Sequence, residues 1–306
     1  MDLSIVIVNW NTRALLLDCL RAIFSTINRL SFEVWLVDNA SSDGSIDAVR
    51  SGYPEVCIIQ NQENVGFAAA NNRALGKIHG RYAMLLNTDA VLTQGAVERL
   101  FDFMERNPEA GMAGGQLLNG DGTLQNSTAS FPDFLSVMFN ESLLRILMPG
   151  KYSAKGNHQH EPVEIDSIIG ACLVVRKKAI EQVGLLDERF FFFFEETDWA
   201  LRMKRNGWRI FFVPHAKIYH IQGQSVGHGT SSRIHFYRSR YTYFKKWSRK
   251  IYPLLFPIAI ARIFVNLVLN FFGTLLTLGL AKGPRKKIGI YFGLLLWHIT
   301  GCPQDR

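Results

Sequence analysis

Four short apolar runs, each followed by a helical pattern, constrain the fold of this chain more than any other feature. The runs cover residues 5–8, 34–37, 56–59 and 83–86, and the helical patterns cover residues 13–26, 44–50, 67–76 and 94–106. The runs are rich in Val, Ile and Leu without polar alternation, which is typical of parallel strands buried on both faces. Strands that alternate with helices in this way predict an α/β fold with a Rossmann-like, mostly parallel sheet.

The residues that follow the four runs are polar and mark the expected ligand site. They are Asn9-Trp10-Asn11, Asp38-Asn39-Ala40-Ser41, residues 61–66 and Asn87-Thr88-Asp89. In an open parallel sheet, ligands bind beyond the carboxyl ends of the strands. The first of these turns lacks the G-x-G-x-x-G spacing of dinucleotide-binding folds, and the sequence has no P-loop motif. The sequence therefore argues against a nicotinamide-dependent enzyme and against a P-loop protein.

The cysteines and the first residues indicate a reducing compartment. The chain has four cysteines, none of them in a C-x-x-C pair, so neither a thiolate zinc site nor a disulfide framework is expected. The first eight residues contain no basic segment and no long apolar stretch of the kind found in secretory signals. We therefore expect the catalytic part to stay in the cytoplasm.

Charge is distributed unevenly along the chain. Residues 199–306 contain 18 Lys and Arg and a single acid, Asp305, whereas residues 1–198 contain 16 basic and 25 acidic residues. Such asymmetry indicates that the C-terminal part meets an anionic partner, either nucleic acid or lipid. The basic residues flank long apolar stretches, which favours anionic lipid over nucleic acid.

Beyond residue 118 the pattern becomes irregular before regular structure returns. Residues 119–161 are rich in Asn, Ser, Gly and Pro with one apolar patch at residues 134–148, and we expect a variable, substrate-facing insertion. The elements predicted after it are extended structure at residues 165–175, a helix at 177–183, a buried strand or loop at the five phenylalanines 190–194, a helix from 195 to 206 stopped by Gly207, and a strand at 209–213 leading to 218–220.

Six motifs, taken together, resemble family 2 glycosyltransferases of the GT-A fold, and within that family the rhamnosyltransferase-like group that acts on polyprenyl-diphosphate-linked acceptors. The motifs are residues 4–11 (SIVIVNWN), 37–45 (VDNASSDGS), 64–67 (NVGF) with Asn72, 86–90 (LNTDA), 170–172 (GAC), and 195–199 (EETDW) with Arg202. The resemblance runs from about Leu3 to Ser225. It implies a GT-A catalytic domain at residues 1–230, with a nucleotide-sugar-binding half at 1–118 and an acceptor and catalytic half at 119–230.

The resemblance implies a donor site at the ends of the first strands. Asp38 occupies the position of the carboxylate that accepts the N3–H of a pyrimidine base, and Trp10 is placed to help wall that base. Five further residues of the motifs are expected to contact substrate, namely Asn9, Gly66, Asn72, Asn87 and Arg202. The alternative for Asp38 is an ordinary turn former before Asn-Ala-Ser.

A divalent cation is also implied by the resemblance. The donor leaves as a nucleoside diphosphate, whose growing negative charge a hard cation can neutralise. Asn87-Thr88-Asp89 stands in the place of the family's D-x-D motif, but Asn87 replaces the first carboxylate, so Asp89 is expected to be the sole carboxylate ligand of Mg²⁺ or Mn²⁺. His220, before Gln222-Gly223-Gln224-Ser225, matches the histidine that many GT-A enzymes supply to the metal or diphosphate. A purely structural histidine is the alternative.

Inversion in one step requires a base that takes the proton of the acceptor hydroxyl. Glu195, Glu196 and Asp198 form a dense carboxylate cluster, and Glu196 matches the second acid of the family's acidic pair. Acids in the first turn of a helix are also stabilised by its dipole, by about 0.3 to 1 kcal/mol each. The apolar wall of phenylalanines before them can raise a carboxyl pKa. We predict that Glu196 is the base, with Asp198 or Glu195 as orienting residues.

Residues 231–306 are predicted to be helices that associate with a membrane. Arg and Lys alternate with Phe, Tyr and Trp between residues 233 and 250, which suits a lipid headgroup layer or the diphosphate of the acceptor. Arg262, Asn266, Asn270 and Thr274 fall four residues apart and form one polar stripe on an otherwise apolar stretch. Because basic clusters flank that stretch on both sides, we expect helices lying in the cytoplasmic leaflet, with a spanning helix as the alternative.

The sequence thus predicts an inverting GT-A transferase, peripheral or monotopic on the cytoplasmic face of the membrane. The resemblance implies transfer of L-rhamnose from dTDP-L-rhamnose to a polyprenyl-diphosphate-linked glycan in bacterial cell-surface polysaccharide synthesis. A UDP-sugar donor, either galactofuranose or N-acetylglucosamine, is the alternative within this class. A catalytically inactive membrane scaffold is the alternative outside it, which the missing first acid of the D-x-D motif favours and the presence of Asp89 and Glu196 opposes. Nucleic acid is not an expected partner.

Overall fold

The chain forms two compact units. A computed structural model describes residues 1–139, 141–149, 160–221, 229–277 and 280–302. Unit 1 comprises Met1–Phe131 with Arg145–Ser225, and unit 2 comprises Pro132–Leu144 with Val226–Arg306. The predicted Gln222-Gly223-Gln224-Ser225 segment after His220 lies outside the described residues.

Unit 1 is built on a mixed sheet. The strands are β1 (Leu3–Asn9), β2 (Phe32–Asp38), β3 (Cys57–Gln60), β4 (Tyr82–Asn87), β5 (Ala90–Leu92), β6 (Ala110–Leu118), β7 (Thr128–Ala129), β8 (Val163–Glu164), β9 (Ser167–Ile168), β10 (Cys172–Arg176) and β11 (Arg209–His220). The main sheet has the order β3-β2-β1-β4-β10-β6-β11-β5, with β8 paired to β11, and β7 pairs with β9 separately. Strands β3, β2, β1 and β4 are mutually parallel, whereas β10 is antiparallel to both of its neighbours.

The described parts of the two units contain eleven helices, and six helices of unit 1 cover both faces of the sheet. The helices, in chain order, are α1 (Arg13–Thr26), α2 (Ser45–Gly52), α3 (Phe67–Leu75), α4 (Ala96–Arg106), α5 (Phe134–Met138), α6 (Glu141–Leu147), α7 (Lys177–Val183), α8 (Glu195–Arg205), α9 (Thr230–Trp247), α10 (Tyr252–Leu276) and α11 (Lys282–Ile299). Buried residues of α1, α2 and α4 share one hydrophobic cluster, and those of α3, α7 and α8 share another.

The two clusters explain the unbroken apolar runs. In β1, Ile5 and Ile7 belong to the first cluster and Val6 to the second, as expected because successive side chains of a strand point to opposite faces. In α4, the buried residues Val97, Leu100 and Met104 recur at helical spacing. Strand β1 therefore packs apolar side chains against helices on both faces of the sheet.

The predicted GT-A architecture of a mostly parallel sheet with helices is confirmed. The helices predicted at 13–26 and 177–183 have the observed bounds, and the five phenylalanines form a loop in which Phe190 is buried and Phe191 is exposed. The region predicted to be irregular contains the short helices α5 and α6. Strand β6 has no strand signal in the sequence because it is rich in glycine. A Cβ at Gly114 would lie 2.5 Å from Ile168 Cγ2, and one at Gly115 would collide with the Ala216 carbonyl, so its glycines permit close packing.

Unit 2 is helical in its described part, and α10 is its most apolar element. This helix has 25 residues and a mean hydropathy of 2.0 in its most apolar window, of which 17% is buried. Among the described residues it is the one helix long and apolar enough to cross a membrane. Three residues of its polar stripe are satisfied within the helix, because the side chains of Asn266, Asn270 and Thr274 each donate to the carbonyl four residues earlier. Length and composition fit both a spanning and an interfacial helix.

Candidate active site

The parallel strands of unit 1 end together at one edge of the sheet. In the pairing register, Asn9 at the end of β1 lies opposite Asp38 at the end of β2, and Val8 lies opposite Asn87 at the end of β4. The polar residues predicted to form a ligand site are therefore brought together from three strands. This edge is where an open parallel sheet binds its ligand.

Asp38 is held by a buried hydrogen-bond network. Asn9 Nδ2 donates to Asp38 Oδ1 at 2.8 Å and to Ser45 Oγ at 2.8 Å, and the backbone N–H of Ser41 donates to Asp38 Oδ2 at 2.9 Å. Asn9 and Asp38 are almost fully buried, whereas Trp10 is 48% exposed. Asn9 thus fixes the carboxylate of Asp38, and the exposed Trp10 directly follows Asn9 in the sequence.

Asp89 and His220 are brought together by strand pairing. Strand β5 runs antiparallel to β11 with Ala90 opposite His220, and the N–H of Ile221 donates to the carbonyl of Asp89 at 2.9 Å. The His220 Nε2 atom lies 3.4 Å from Asp89 Oδ1, and both side chains are buried. The structure therefore places the predicted carboxylate and imidazole ligands side by side.

Gln125 sets the orientation of the His220 ring. Gln125 Nε2 donates to Asn119 Oδ1 at 2.9 Å and to the His220 carbonyl at 3.1 Å, which leaves Gln125 Oε1 facing His220 Nδ1 at 2.6 Å. Because an amide oxygen only accepts, Nδ1 donates to Gln125, and Nε2 lies on the side of the ring that faces Asp89. Metal-binding histidines commonly have their other ring nitrogen hydrogen-bonded in this way.

The five phenylalanines form a strained turn that leads directly into α8. Phe193 and Phe194 have φ angles of 71° and 70°, a region that bulky residues rarely occupy. The turn is anchored on Gly66, whose φ is 85° and where an added Cβ would lie 2.6 Å from the Phe191 carbonyl. The N–H of Phe67 donates to that same carbonyl at 2.7 Å. Gly66 is therefore required for the close approach of the loop.

The first turn of α8 carries two carboxyls with raised pKa values. Burial raises the pKa of Glu196 to about 7. Burial, together with the neighbouring Glu196, raises the pKa of Glu195 well above its usual range. Glu195 is 4% exposed, whereas Glu196 is partly exposed. Of the two residues, Glu196 is the more exposed, and its pKa lies near neutral pH.

Gly170 connects Glu196 to the end of β4. A Cβ built on Gly170 would lie 3.7 Å from Glu196 Cδ, so the glycine leaves space over the carboxyl. The carbonyl of the next residue, Ala171, accepts the N–H of Asn87 at 2.9 Å. The backbone from Gly170 to Ala171 thus bridges Glu196 and the Asn87-Thr88-Asp89 turn.

Asn72, Arg202 and Asp198 hold the segment that precedes the phenylalanines. The Asn72 amide donates to the Leu186 carbonyl at 2.8 Å and accepts the Leu186 N–H at 3.0 Å. Arg202 pairs with the fully buried Asp198 at 2.9 Å and donates to the carbonyls of Val183 and Leu185 at 2.7 and 2.6 Å. These contacts are structural, and the predicted contact of Asn72 and Arg202 with substrate stays a prediction.

Gln125 and Gly170 are site residues that the sequence did not identify. Gln125 lies 95 residues before His220, in the region predicted to be irregular, and no local pattern connects the two. Gly170 lies in the motif at residues 170–172, but its position over Glu196 depends on the packing of α8 against β9. Within the described ranges, no group of three or more His, Cys, Asp and Glu side chains is arranged to hold a metal ion.

The fold is that of the GT-A glycosyltransferases. The structure resembles the mannosyltransferase PcManGT from Pyrobaculum calidifontis, solved with GDP-Man and Mn²⁺, with a TM-score of 0.58 and 18% identity over 98% of this chain and 86% of that one. It also resembles GalNAc-T7, solved with UDP, GalNAc and Mn²⁺, with a TM-score of 0.56 and 15% identity over 78% of this chain and 48% of that one.

The family model described as "Glycosyl transferase family 2" matches residues 4–184, and the chain belongs to this family of glycosyltransferases. It is 29% identical over 215 residues to "N-acetylglucosaminyl-diphospho-decaprenol L-rhamnosyltransferase" of Mycobacterium tuberculosis, which covers 66% of this chain and 70% of the relative. It is 24% identical over 210 residues to "Low-salt glycan biosynthesis hexosyltransferase Agl10" of Haloferax volcanii, which covers 67% of this chain and 62% of the relative.

Proposed function

We propose that the chain is an inverting rhamnosyltransferase that moves L-rhamnose from dTDP-L-rhamnose to a polyprenyl-diphosphate-linked glycan. The observation that carries the proposed reaction is Glu196, a partly exposed carboxyl with a pKa of about 7 beside the strand-end edge. The similarity to the mycobacterial rhamnosyltransferase supports this choice of sugar and lipid-linked acceptor. The proposed setting is bacterial cell-surface polysaccharide synthesis at the cytoplasmic face of the membrane, with the helices of unit 2 in contact with lipid.

Glu196 is the base in the proposed reaction. It takes the proton of the acceptor hydroxyl while the oxygen of that hydroxyl forms a bond to the anomeric carbon. The bond from that carbon to the diphosphate oxygen breaks on the opposite face, and dTDP leaves with the electron pair. A base with a pKa near the working pH is best suited to this step. Asp198 is less suited because Arg202 holds its carboxylate.

Asp89 and His220 fit the role of holding a divalent cation, Mg²⁺ or Mn²⁺. The Nε2 atom of His220 and a carboxylate oxygen of Asp89 face each other at 3.4 Å. Two protein ligands are sufficient for such an ion, because Mg²⁺ commonly completes its coordination with water and substrate phosphates. When bound, the cation would neutralise the charge that develops on the leaving diphosphate. Asn87, at the same edge, supplies no charge of its own.

Asp38 and Trp10 are proposed to bind the thymine base of the donor. Asn9 and the Ser41 N–H fix the Asp38 carboxylate, and the exposed ring of Trp10 provides an apolar surface for stacking.

Donor hydrolysis measured with dTDP-L-rhamnose, UDP-galactofuranose and UDP-N-acetylglucosamine tests the choice of donor. We expect dTDP-L-rhamnose to be hydrolysed fastest. Faster hydrolysis of a UDP-sugar would refute the rhamnose assignment while leaving the transferase class intact.

Replacement of Asp89 by alanine tests the metal site. We expect Asp89→Ala to abolish metal-dependent donor binding, because it removes the charged ligand beside His220. Calorimetric titration of the donor with and without Mn²⁺ measures this directly, and Asp47→Ala, at an exposed position in α2, is the matched control. Wild-type affinity in Asp89→Ala, or no metal requirement in the wild-type protein, would contradict the assignment.

A further inference from the structure

Thr12 stands at the start of α1 but does not cap that helix. It occupies the N-cap position, where a threonine side chain ordinarily accepts a backbone N–H of the first turn, yet its side chain makes no capping hydrogen bond. The Thr12 hydroxyl instead lies 2.8 Å from Asn9 Oδ1 and 2.9 Å from Thr88 Oγ1. Asn9 ends β1 and Thr88 directly follows β4. The ordinary role of an N-cap threonine therefore does not account for this side chain.

The two hydrogen bonds of Thr12 have a fixed direction. A hydroxyl has one proton to donate and an amide oxygen can only accept, so the Thr12 proton goes to Asn9. In the contact between the two threonines, the Thr88 hydroxyl is therefore the donor and Thr12 the acceptor. Asn9 in turn donates from Nδ2 to Asp38 Oδ1 at 2.8 Å. These bonds form one directed series from Thr88 to the Asp38 carboxylate, which we call the Thr12 link.

The Thr12 link is buried along its whole length. Its four side chains are each at most 8% exposed, and they belong to Asn9, Thr12, Asp38 and Thr88. A buried acceptor that loses its donor stays unsatisfied, because water does not reach it, and successive hydrogen bonds in a series polarise one another. The link is therefore a firm connection and differs from a surface contact that water can replace.

The Thr12 link joins the two ends of the proposed donor site. Asp38 is the proposed partner of the base, and Thr88 lies between Asn87 and the proposed metal ligand Asp89. The backbone pairing of β1 with β4 ends at Val8 and Asn87, so on this side the turn after β4 is tied to β1 through side chains. A nucleoside diphosphate has its base at one end and its phosphates at the other. The spacing of the two subsites must match that ligand.

We propose that Thr12 is a positioning residue, which fixes the metal-binding turn relative to the base-binding carboxylate. This inference rests on the proposed function, because it takes Asp38 as the partner of the base and Asp89 as a ligand of the cation. Thr12 acts through Asn9 and Thr88 and contacts neither the base nor the cation. A ligand that reaches two correctly spaced subsites binds more tightly than its separate parts, because the second contact is made within one complex. Loss of the link removes part of this advantage.

Two soluble ligands test the link in the full chain in neutral detergent. Thymidine diphosphate reaches both subsites, whereas inorganic diphosphate reaches the metal subsite alone, and calorimetry with Mn²⁺ gives the ratio of their affinities. We expect Thr12→Val, which keeps the shape and removes the hydroxyl, to lower this ratio by about threefold to tenfold, the usual net effect of a hydrogen bond. Thr88→Val should lower it similarly, and it keeps the test available where Thr12→Val fails to fold. Thr12→Ser keeps the hydroxyl and should retain the wild-type ratio.

Three comparisons distinguish the link from a general effect on the fold. With a chelator in place of Mn²⁺, Thr88→Val should bind thymidine diphosphate as the wild-type protein does, because the metal-binding turn then adds nothing. The double variant Thr12→Val with Thr88→Val should lose no more than Thr12→Val alone, because both changes break the same bond. Thr26→Val is the matched control in α1, where the Thr26 hydroxyl donates to the Ala22 carbonyl at 2.6 Å, and it should leave the ratio unchanged.

An unchanged ratio in Thr12→Val, or an equal decrease in Thr12→Ser or Thr26→Val, would overturn the positioning role. A normal ratio in Thr88→Val, a further loss in the double variant, or an equal loss with chelator would overturn it as well, because Thr12 would then support Asp38 or the fold alone. The wild-type protein tests the proposed function separately. Absence of Mn²⁺-dependent binding of thymidine diphosphate by the wild-type protein would refute the proposed donor and metal site and the positioning role with it, whereas normal wild-type binding with unchanged variants would refute the positioning role alone.

Discussion

Glu195 and Glu196 are adjacent in one helical turn yet differ in their access to solvent. Glu195 is enclosed, and its carboxyl pKa is raised by burial and by Glu196; the Glu196 pKa is raised to about 7, and its carboxyl lies over Gly170. Enclosure favours the neutral form of Glu195, whereas the partly exposed Glu196, with a pKa of about 7, can exchange a proton with an acceptor. The two neighbouring glutamates therefore differ in how readily they can exchange a proton. The helix dipole alone does not explain this difference.

We expect Glu196→Gln to bind donor normally and to lose turnover by about 10² to 10⁴-fold, the usual contribution of general base catalysis. Glutamine keeps the shape of the side chain but cannot accept the proton. Steady-state transfer rates and donor affinity are measured for this variant and for Glu195→Gln, which should cost much less because Glu195 is enclosed. Near-normal turnover in Glu196→Gln would move the base to Asp198 or Glu195, and lost donor affinity would assign Glu196 to binding.

The enclosed carboxyl also predicts how stability depends on pH. A carboxyl whose pKa is raised by folding binds more protons in the folded state, so its contribution is fully present below the unfolded pKa of about 4.5 and is lost as pH rises through the folded pKa. We expect Glu195→Gln to lose less stability than the wild-type protein between pH 5 and pH 8.

Denaturant unfolding at the two pH values measures this difference. Glu55→Gln, at an exposed position before β3, is the matched control and should follow the wild-type pH dependence. If the wild-type protein and Glu195→Gln lose the same stability over this range, Glu195 is not a buried titrating group.

Single residues were predictable from sequence to the extent that strands or known motifs placed them. Asp38, Asn87 and Asp89 follow apolar runs, and their arrival at one edge follows from parallel pairing. The contact between Asp89 and His220 required the resemblance, because β5 and β11 are far apart in sequence and pair antiparallel. Gln125 had neither kind of signal, since its role depends on a hydrogen bond across 95 residues.

At the scale of elements, amphipathic helices and doubly buried strands were predicted well, whereas close backbone packing was not. Helix α4 repeats its apolar residues at helical spacing, and that pattern is independent of the rest of the chain. Strand β6 forms because Gly114 and Gly115 let Ile168 and Ala216 approach. This is a tertiary property that no local propensity encodes.

The loop of phenylalanines offers a direct test of this kind of packing. We expect Gly66→Ala to lower the free energy of unfolding by at least about 1 to 2 kcal/mol, the cost of a left-handed backbone for a residue with a Cβ, and to lower activity as well. The added methyl would meet the Phe191 carbonyl at 2.6 Å and displace the turn that carries Glu195 and Glu196. Chemical unfolding and transfer rates are compared with Gly52→Ala, where a Cβ has no atom within 4 Å. Equal stability of the two variants would show that the loop does not depend on Gly66.

At the scale of the whole molecule, the two units have opposite chemical characters. The sheet of unit 1 buries its apolar side chains in two hydrophobic clusters, while the described helices of unit 2 expose many large apolar side chains, among them Phe264, Leu269 and Phe272. Residues 230–302 contain Lys and Arg but no acid. An exposed apolar face bordered by basic residues is suited to an anionic lipid surface.

We expect the full chain to bind anionic vesicles partly through charge, so that salt weakens the binding. The attraction between basic residues and an anionic surface is worth about 1 kcal/mol per Lys or Arg near the surface, and the screening length falls from about 10 Å at 0.1 M salt to about 3 Å at 1 M. Flotation with phosphatidylcholine vesicles, with and without phosphatidylglycerol, measures the bound fraction at rising salt.

Combined Arg285→Gln, Lys286→Gln and Lys287→Gln, at exposed positions in α11, should lower binding to the anionic vesicles at low salt by about tenfold or more. The control carries Lys77→Gln, Arg99→Gln and Arg106→Gln at exposed positions of unit 1, and it should bind as the wild-type protein does. Binding that ignores both salt and lipid charge would instead favour α10 as a spanning helix, because insertion of an apolar helix depends on neither.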